Sequence, residues 1–283
     1  MHNSTNKLKI KPLLLFCRVK YFIHLLPFIL LQSCDLFEAH PFDGKVTGET
    51  DINNKNIKLI EAGCAEKTTI RFAMTGDTQS WYSETEDFVK TINARHDIDF
   101  VIHGGDVTDF GLTNEFIWQR DILNKLKIPY VVLIGNHDCL GTGKHVYKKI
   151  FGEANFSFIA GNVNFICLNT NALEYDYSHP VPDFAFIENK RISSTPNHEK
   201  TVVAMHVPPY SVEFNNNVAI GFQERIKLFP DLQFCLHAHV HNFFERDIFN
   251  DDVIYYSPAS IEKRNYLLFT ITPESYTYEI IYF

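Results

Sequence analysis

Asp, Asn and His recur down this chain in five short clusters: Gly76-Asp77-Thr78-Gln79, Gly105-Asp106-Val107-Thr108-Asp109, Gly135-Asn136-His137-Asp138, Met205-His206-Val207-Pro208-Pro209 and Ala238-His239-Val240-His241. Carboxylate and amide oxygens together with imidazole nitrogens are the ligands of hard and borderline divalent cations, and the mixture suits a two-metal hydrolytic site. Four clusters directly follow apolar runs that read as buried strands, Ile70 to Thr75, Phe100 to His103, Tyr130 to Ile134 and Thr201 to Met205. The fifth ends the run Phe234 to Leu236. The candidate ligands Asp77, Gln79, Asp106, Asn136, His206, His239 and His241 therefore stand where strands run out into loops, which is where open α/β sheets bind ligands.

The elements between the clusters explain how they could meet. Ser83-Glu84-Thr85-Glu86 has a capping-box pattern and is followed by Phe88, Val89 and Ile92 at helical spacing; Phe116, Ile117, Leu123 and Leu126 mark a second helix. Asp77, Asp106 and Asn136 are thus each one βαβ unit apart, and right-handed crossovers bring all three loops to one edge of a parallel sheet. The later half, at Phe156 to Leu168 and Asp252 to Tyr256, is richer in strands and suits a second sheet. Tyr266 to Phe283, interrupted by Pro273-Glu274-Ser275, reads as a closing hairpin. With 283 residues, 45% of them hydrophobic, and no repeat or linker, one well-cored α/β domain is expected.

In order and residue type the clusters resemble the calcineurin-like metallophosphoesterase superfamily, whose pattern is DxH, GDxxD, GNHD or GNHE, a lone His, and GHxH. The resemblance runs from about Ile70 to His241. It implies a four-layer αββα sandwich of two mixed sheets and two divalent cations (Mn, Fe or Zn) bridged by Asp106. One would be held by Asp77, Gln79, Asp106 and His241, and the other by Asp106, Asn136, His206 and His239. A metal-bridging hydroxide would attack phosphorus, with His137 serving the leaving oxygen and Asp109 as the candidate that orients it. Two positions depart from the pattern. Gln79 replaces a His, and its harder oxygen tilts that site towards Mn²⁺ or Fe²⁺. Ala238 replaces a Gly, which would cost on the order of 1 kcal/mol if the backbone there needed a positive φ.

Other polar residues carry two readings each. Asp109 is either the partner of His137 or a loop-tightening Asp beside Gly111, and Asp138 is a catalytic group or a turn carboxylate that bonds nearby amides. His237, His239 and His241 alternate, so all three could share one face of a strand; His239 and His241 are chosen as ligands and His237 as a supporting group. His103 reads as a hydrogen-bonded strand-end His. Lys144 and His145 could meet a substrate phosphate or be solvated, and Trp81, Tyr82 and Tyr210 could wall a substrate or simply pack. Substrate-binding residues are otherwise unassigned.

The N-terminus has its own signature. Lys7, Lys9, Lys11, Arg18 and Lys20 precede the apolar stretch Tyr21 to Leu31, which is shorter than the roughly 20 residues of a membrane span, and Leu31-Gln32-Ser33-Cys34 resembles a lipobox. Residues 1–33 are expected to be a lipoprotein signal peptide, 34–66 a lead-in beginning with lipidated Cys34, and 67–283 the phosphoesterase domain, anchored in a bacterial cell envelope on the periplasmic or surface side. Of 26 basic and 34 acidic side chains the leader takes five basic and no acidic ones, so the mature balance is 21 − 34 = −13, which disfavours nucleic-acid binding. Cys167 and Cys235 lie in strand-like runs and read as small buried hydrophobes rather than halves of a disulfide. The function expected is hydrolysis of a phosphodiester, on a small molecule or lipid headgroup. The alternatives are a phosphomonoesterase of the same fold and a non-catalytic binding lipoprotein.

Overall fold

Eleven strands of the described residues divide into two sheets because their side chains alternate between two apolar destinations. In the computed structural model, which describes residues 40–172, 180–193 and 200–283, the strands are β1 (Ile70–Thr75), β2 (Phe100–His103), β3 (Tyr130–Val132), β4 (Phe156–Ala160), β5 (Val163–Leu168), β6 (Lys200–Met205), β7 (Leu232–Leu236), β8 (Phe244–Asp247), β9 (Ile254–Ser257), β10 (Asn265–Ile271) and β11 (Tyr276–Tyr282). The described helices are α1 (Ile52–Cys64), α2 (Tyr82–Asn93), α3 (Thr113–Leu123), α4 (Gly143–Ile150), α5 (Phe184–Ser193) and α6 (Ala219–Ile226). One sheet has the order β11-β10-β1-β2-β3 and the other β4-β5-β6-β7-β9-β8. Both are mixed: β1, β2 and β3 run parallel, as do β5, β6, β7 and β9, while hairpins add antiparallel strands at the edges.

Ile70, Phe72 and Met74 of β1 point between the sheets, where they meet Phe165 of β5, Val202 of β6 and Phe234 of β7; Ala73 points the other way, towards Phe88 and Ile92 of α2 and Phe116 of α3. On the second sheet Val203 and Met205 face outward onto Phe222 and Ile226 of α6. Helices on both outer faces and one shared apolar seam make the four-layer αββα sandwich. Aromatic side chains fill the seam: Phe158 stacks on Phe165 at 4.9 Å and Phe234 on Phe269 at 4.8 Å.

The compact unit of the described residues runs from Pro41 to Phe283, and two local expectations are corrected. Within the expected lead-in, α1 buries Ile60 and Cys64 in the central seam, and the Asn53 side chain pairs with both the N–H and the C=O of Val132 at 2.9 Å, at the edge of β3. The capping box at Ser83 is not formed: α2 starts at Tyr82 with Trp81 as an N-cap lacking a side-chain bond, and Thr85 donates its hydroxyl to the Trp81 carbonyl instead. β3 ends at Val132, although the N–H of Leu133 still bonds to the His103 carbonyl at 2.8 Å. Residues 1–33 and Cys34 lie outside the described residues. Among the described ones no helix is long and apolar enough to cross a membrane, and Cys64, Cys139, Cys167 and Cys235 are free thiols.

Candidate metal centre

The loops after β1, β2, β3, β6 and β7 meet at the carboxyl edges of their strands and bind one another through the main chain. Asp77 N–H reaches the Gly105 carbonyl, and Thr78 and Gln79 N–H both reach that of Asp106, each at 3.0 Å; Ala238 N–H reaches the His206 carbonyl at 3.1 Å, between the neighbouring strands β6 and β7 of the second sheet. Sharp turning at this edge places Asp77 (φ 51°), Gln79 (φ 40°), Asp106 (φ 56°), His239 (φ 73°) and His241 (φ 56°) in the left-handed region. Asp and His tolerate it better than most residues, and such strain persists where neighbours over-determine the backbone. Close approach requires glycine at 135: a Cβ there would stand 2.0 Å from Asp106 Oδ1. Buried His103 ties two loops together by accepting the Gly105 N–H at Nδ1 (3.1 Å) and lying 3.0 Å from Thr78 Oγ1 through Nε2. Burial pulls its pKa to about 3, so it is neutral.

Two donor groups converge on this edge. Ligand atoms of Asp106, His206 and His239 lie within 4.8 Å of one another, and so do those of Asp77, Asp106 and His241, with Asp106 common to both. In the first, Asn136 Oδ1 is 2.9 Å from both His206 Nε2 and His239 Nδ1, and Asp106 Oδ2 is 3.3 Å from His206 Nε2. The other nitrogens also face acceptors: His206 Nδ1 donates to the Gly104 carbonyl at 2.8 Å, and His239 Nε2 is 3.0 Å from Glu213 Oε2. Two imidazoles with an acceptor at every ring nitrogen, converging with a carboxylate and an amide oxygen, form a cradle that a divalent cation satisfies in place of protons. The second group is more open. His241 is half-exposed with Nε2 3.8 Å from Asp77 Oδ1, and the Asp77 carboxylate accepts the His239 N–H at 3.1 and 3.2 Å. Gln79 is buried, and its main-chain carbonyl accepts Gln119 Nε2 at 2.6 Å.

The electrostatics carry the mark of a cation site. Burial pushes the Asp77 carboxyl up to about 6. Burial also works against charge on Asp106 and His206, but their mutual attraction prevails, holding Asp106 below the usual carboxylate range and raising His206 to about 9. Burial, followed by the charge of His206, lowers His239.

His137 and Asp138 divide two roles. His137 N–H bonds to Asp106 Oδ1 at 2.9 Å, and its Nδ1 donates to the main-chain carbonyl of Asp109 at 2.7 Å, which leaves Nε2 as the nitrogen that can exchange a proton. Asp109 thus meets His137 through its backbone and not, as expected, through its carboxylate. Asp138 is a clamp. Its Oδ2 accepts the N–H groups of Asp106 (2.9 Å), Gly135 (2.9 Å) and Val107 (3.3 Å), and its Oδ1 accepts Thr108 N–H and Oγ1–H, both at 3.0 Å. Burial, then the neighbouring Asp106 charge, pushes its carboxyl up to about 7 against the pull of those donors.

The calcineurin-like phosphoesterase family model matches residues 70–243. The chain belongs to this family. It is 28% identical over 178 residues to a 3',5'-cyclic-nucleotide phosphodiesterase of Nostoc sp., a match that takes in 59% of this chain and 66% of that protein. Among solved structures, a dimetal phosphatase from Danio rerio aligns with a TM-score of 0.56 at 9% identity, covering 75% of this chain and 95% of its own. The 5'-nucleotidase from Candida albicans aligns with a TM-score of 0.54 at 14% identity, over 76% and 51%. These two likenesses concern the fold.

Within that family frame some candidates join the site and others do not. His237 is fully buried outside both donor groups. Its Nδ1 is 2.8 Å from the Ala238 carbonyl, its ring lies against Phe244, and burial lowers its pKa to about 3. Strand alternation fails here because β7 stops at Leu236 and His239 and His241 turn through left-handed backbone. Ala238 is not among the positive-φ residues, so no strain attaches to the missing Gly. Lys144 and His145 lie exposed in the first turn of α4. Glu213, on the loop after His206, is the residue that sequence reasoning missed, and its one sequence signal is being the first carboxylate after that histidine.

Proposed function

We propose that this protein hydrolyses a phosphodiester at the site built from Asp77, Gln79, Asp106, Asn136, His206, His239 and His241, and that it works as an envelope lipoprotein anchored through Cys34. The observation that carries the reading is the acceptor-only cradle around Asn136 Oδ1, beside a His137 whose Nδ1 proton is committed to a carbonyl. Divalent cations held there would neutralise phosphoryl charge and generate a water-derived nucleophile near neutral pH. Asp106 positions the centre, being common to both donor groups, and its Oδ1 also fixes the His137 backbone. His137 Nε2 then delivers a proton to the leaving alcohol oxygen, or hydrogen-bonds the phosphoryl group. The name of the Nostoc relative favours a diester over a monoester.

The test is turnover of bis-(p-nitrophenyl) phosphate against p-nitrophenyl phosphate by the full chain supplied with Mn²⁺. Diester hydrolysis that disappears in Asp106→Asn supports the proposal. Monoester hydrolysis alone makes the protein a phosphatase, and bound metal with no turnover of either substrate returns it to a binding role. Loss of acyl incorporation in Cys34→Ser tests the anchor separately.

A further inference from the structure

The loops that carry the ligands also carry large apolar side chains pointing into solvent. Trp81 follows Gln79, Phe110 follows Asp109, Leu140 follows the His137 turn, Tyr210 and Val212 follow His206, and Phe243 follows His241. Their exposures run from 37% for Trp81 to 92% for Val212. Every ligand-bearing loop thus contributes at least one, and those loops share one edge of the sheets. Packing holds two of these side chains in place: Tyr210 lies against Phe249 at 5.3 Å and Phe243 against Tyr278 at 6.2 Å. A soluble face seldom gathers such residues, and exposed aromatics on the loops of a polar centre have the composition of a membrane-interface surface.

The course of the chain says what covers these side chains. Pro41 and Phe42 enter the folded unit on the loops that bear Phe110 and Leu140: Thr113 N–H bonds to the Pro41 carbonyl at 3.3 Å, Thr142 Oγ1–H bonds to that of Phe42 at 3.1 Å, and a Cβ on Gly141 would touch the Phe42 ring at 2.5 Å. Only the residues between Cys34 and Pro41 separate an acylated Cys34 from this entry, and even fully extended they reach no more than about 25 Å. An anchor at Cys34 would tether the chain to a bilayer within that reach of the loops bearing Phe110 and Leu140.

We propose that these apolar side chains dock onto the lipid bilayer and that the substrate is the headgroup phosphodiester of a bilayer lipid. The inference rests on the phosphodiesterase reading of the site and on the proposed anchor at Cys34. Water attacks phosphorus, the bond from phosphorus to one ester oxygen breaks, and that alcohol leaves with a proton, so a phosphomonoester and an alcohol result. Docking through apolar side chains suits a chain whose mature charge is negative, since it needs no attraction between opposite charges and is insensitive to salt.

The only two tryptophans of the chain are Trp81 and Trp118, and both are exposed near this edge. The full-length acylated protein in phosphatidylcholine vesicles is compared with and without bromine on the acyl chains, with Trp118→Phe leaving Trp81 as sole reporter. Bromine quenching of Trp81 by half or more, unchanged by EDTA, is the expected result. Equal emission in the two lipids overturns the proposal, as does a detergent-solubilised dimer that shields both tryptophans without bromine quenching, which assigns the apolar side chains to a second copy. In Phe110→Ser/Val212→Ser, the ratio of turnover on vesicle-embedded headgroup diester to turnover on bis-(p-nitrophenyl) phosphate falls about tenfold or more; an unchanged ratio overturns the substrate assignment. Quenching requires no turnover, so failure of the catalytic reading and failure of docking are told apart.

Discussion

His239 and Glu213 face one another across 3.0 Å, with Nε2 of the ring against Oε2 of the carboxylate, while Nδ1 of the same ring points at Asn136 Oδ1. A carboxylate behind a histidine ligand fixes its tautomer and orientation and raises its basicity, and removing such a partner typically weakens metal binding about 10–100-fold. Glu213→Gln is therefore expected to weaken one of two Mn²⁺ sites by that amount and spare the other, read by titration with electron paramagnetic resonance. Unchanged affinity at both sites would reduce the pair to a surface contact.

The bond from His137 Nδ1 to the Asp109 carbonyl separates two substitutions that otherwise look alike. His137→Ala is expected to keep metal binding and slow turnover by about 10²–10⁴-fold. Asp109→Asn retains the carbonyl and should turn over close to wild type. Asp106→Asn and His239→Ala should lose metal and activity together. Metal loss in His137→Ala equal to theirs would contradict its role as proton donor.

Asp138 touches no ligand atom but holds the backbone of two ligand loops. Asp138→Ala would leave the buried N–H groups of Asp106, Thr108 and Gly135 without acceptors, at about 1–3 kcal/mol each before relaxation. A loss of at least about 3 kcal/mol in urea unfolding is expected, even with EDTA present. Loss of activity at unchanged stability would instead make it a catalytic carboxylate.

Much of this was legible beforehand because strands, crossovers and strand-end ligands follow from short-range patterns. Ile70, Phe72 and Met74 alternate into the seam as their spacing implies, and Asp77, Asp106 and Asn136 recur at βαβ intervals. What escaped was backbone-borne or long-range. The carbonyl of Asp109 belongs to no residue type, so no motif could mark it. The left-handed turns at His239 and His241 break the strand alternation that would have placed His237 on the same face. Glu213 matters only because folding brings it to His239, and α1 reads as a lead-in until Asn53 is seen closing the edge of β3.

The proton on His206 is what a metal must displace, and this makes the metal-free protein sensitive to alkali. Its pKa stands at about 9 when folded against an ordinary 6.5, so between those values the folded state binds more protons than the unfolded one and stability falls as pH rises. Asp77 at about 6 and Asp138 at about 7 act in the same sense but lower on the scale, where buried His103 and His237, both at about 3, oppose them by gaining protons on unfolding. From pH 7 to 9 His206 is left to dominate, with a slope of up to about 1.4 kcal/mol per pH unit. Loading with Mn²⁺ removes that proton from the balance and tightens with pH. The melting temperature of EDTA-treated protein should therefore fall between pH 7 and 9 while that of Mn²⁺-loaded protein holds, so that the gap widens. Parallel curves would mean that His206 is neutral without metal and that the cradle around Asn136 does not compete for protons.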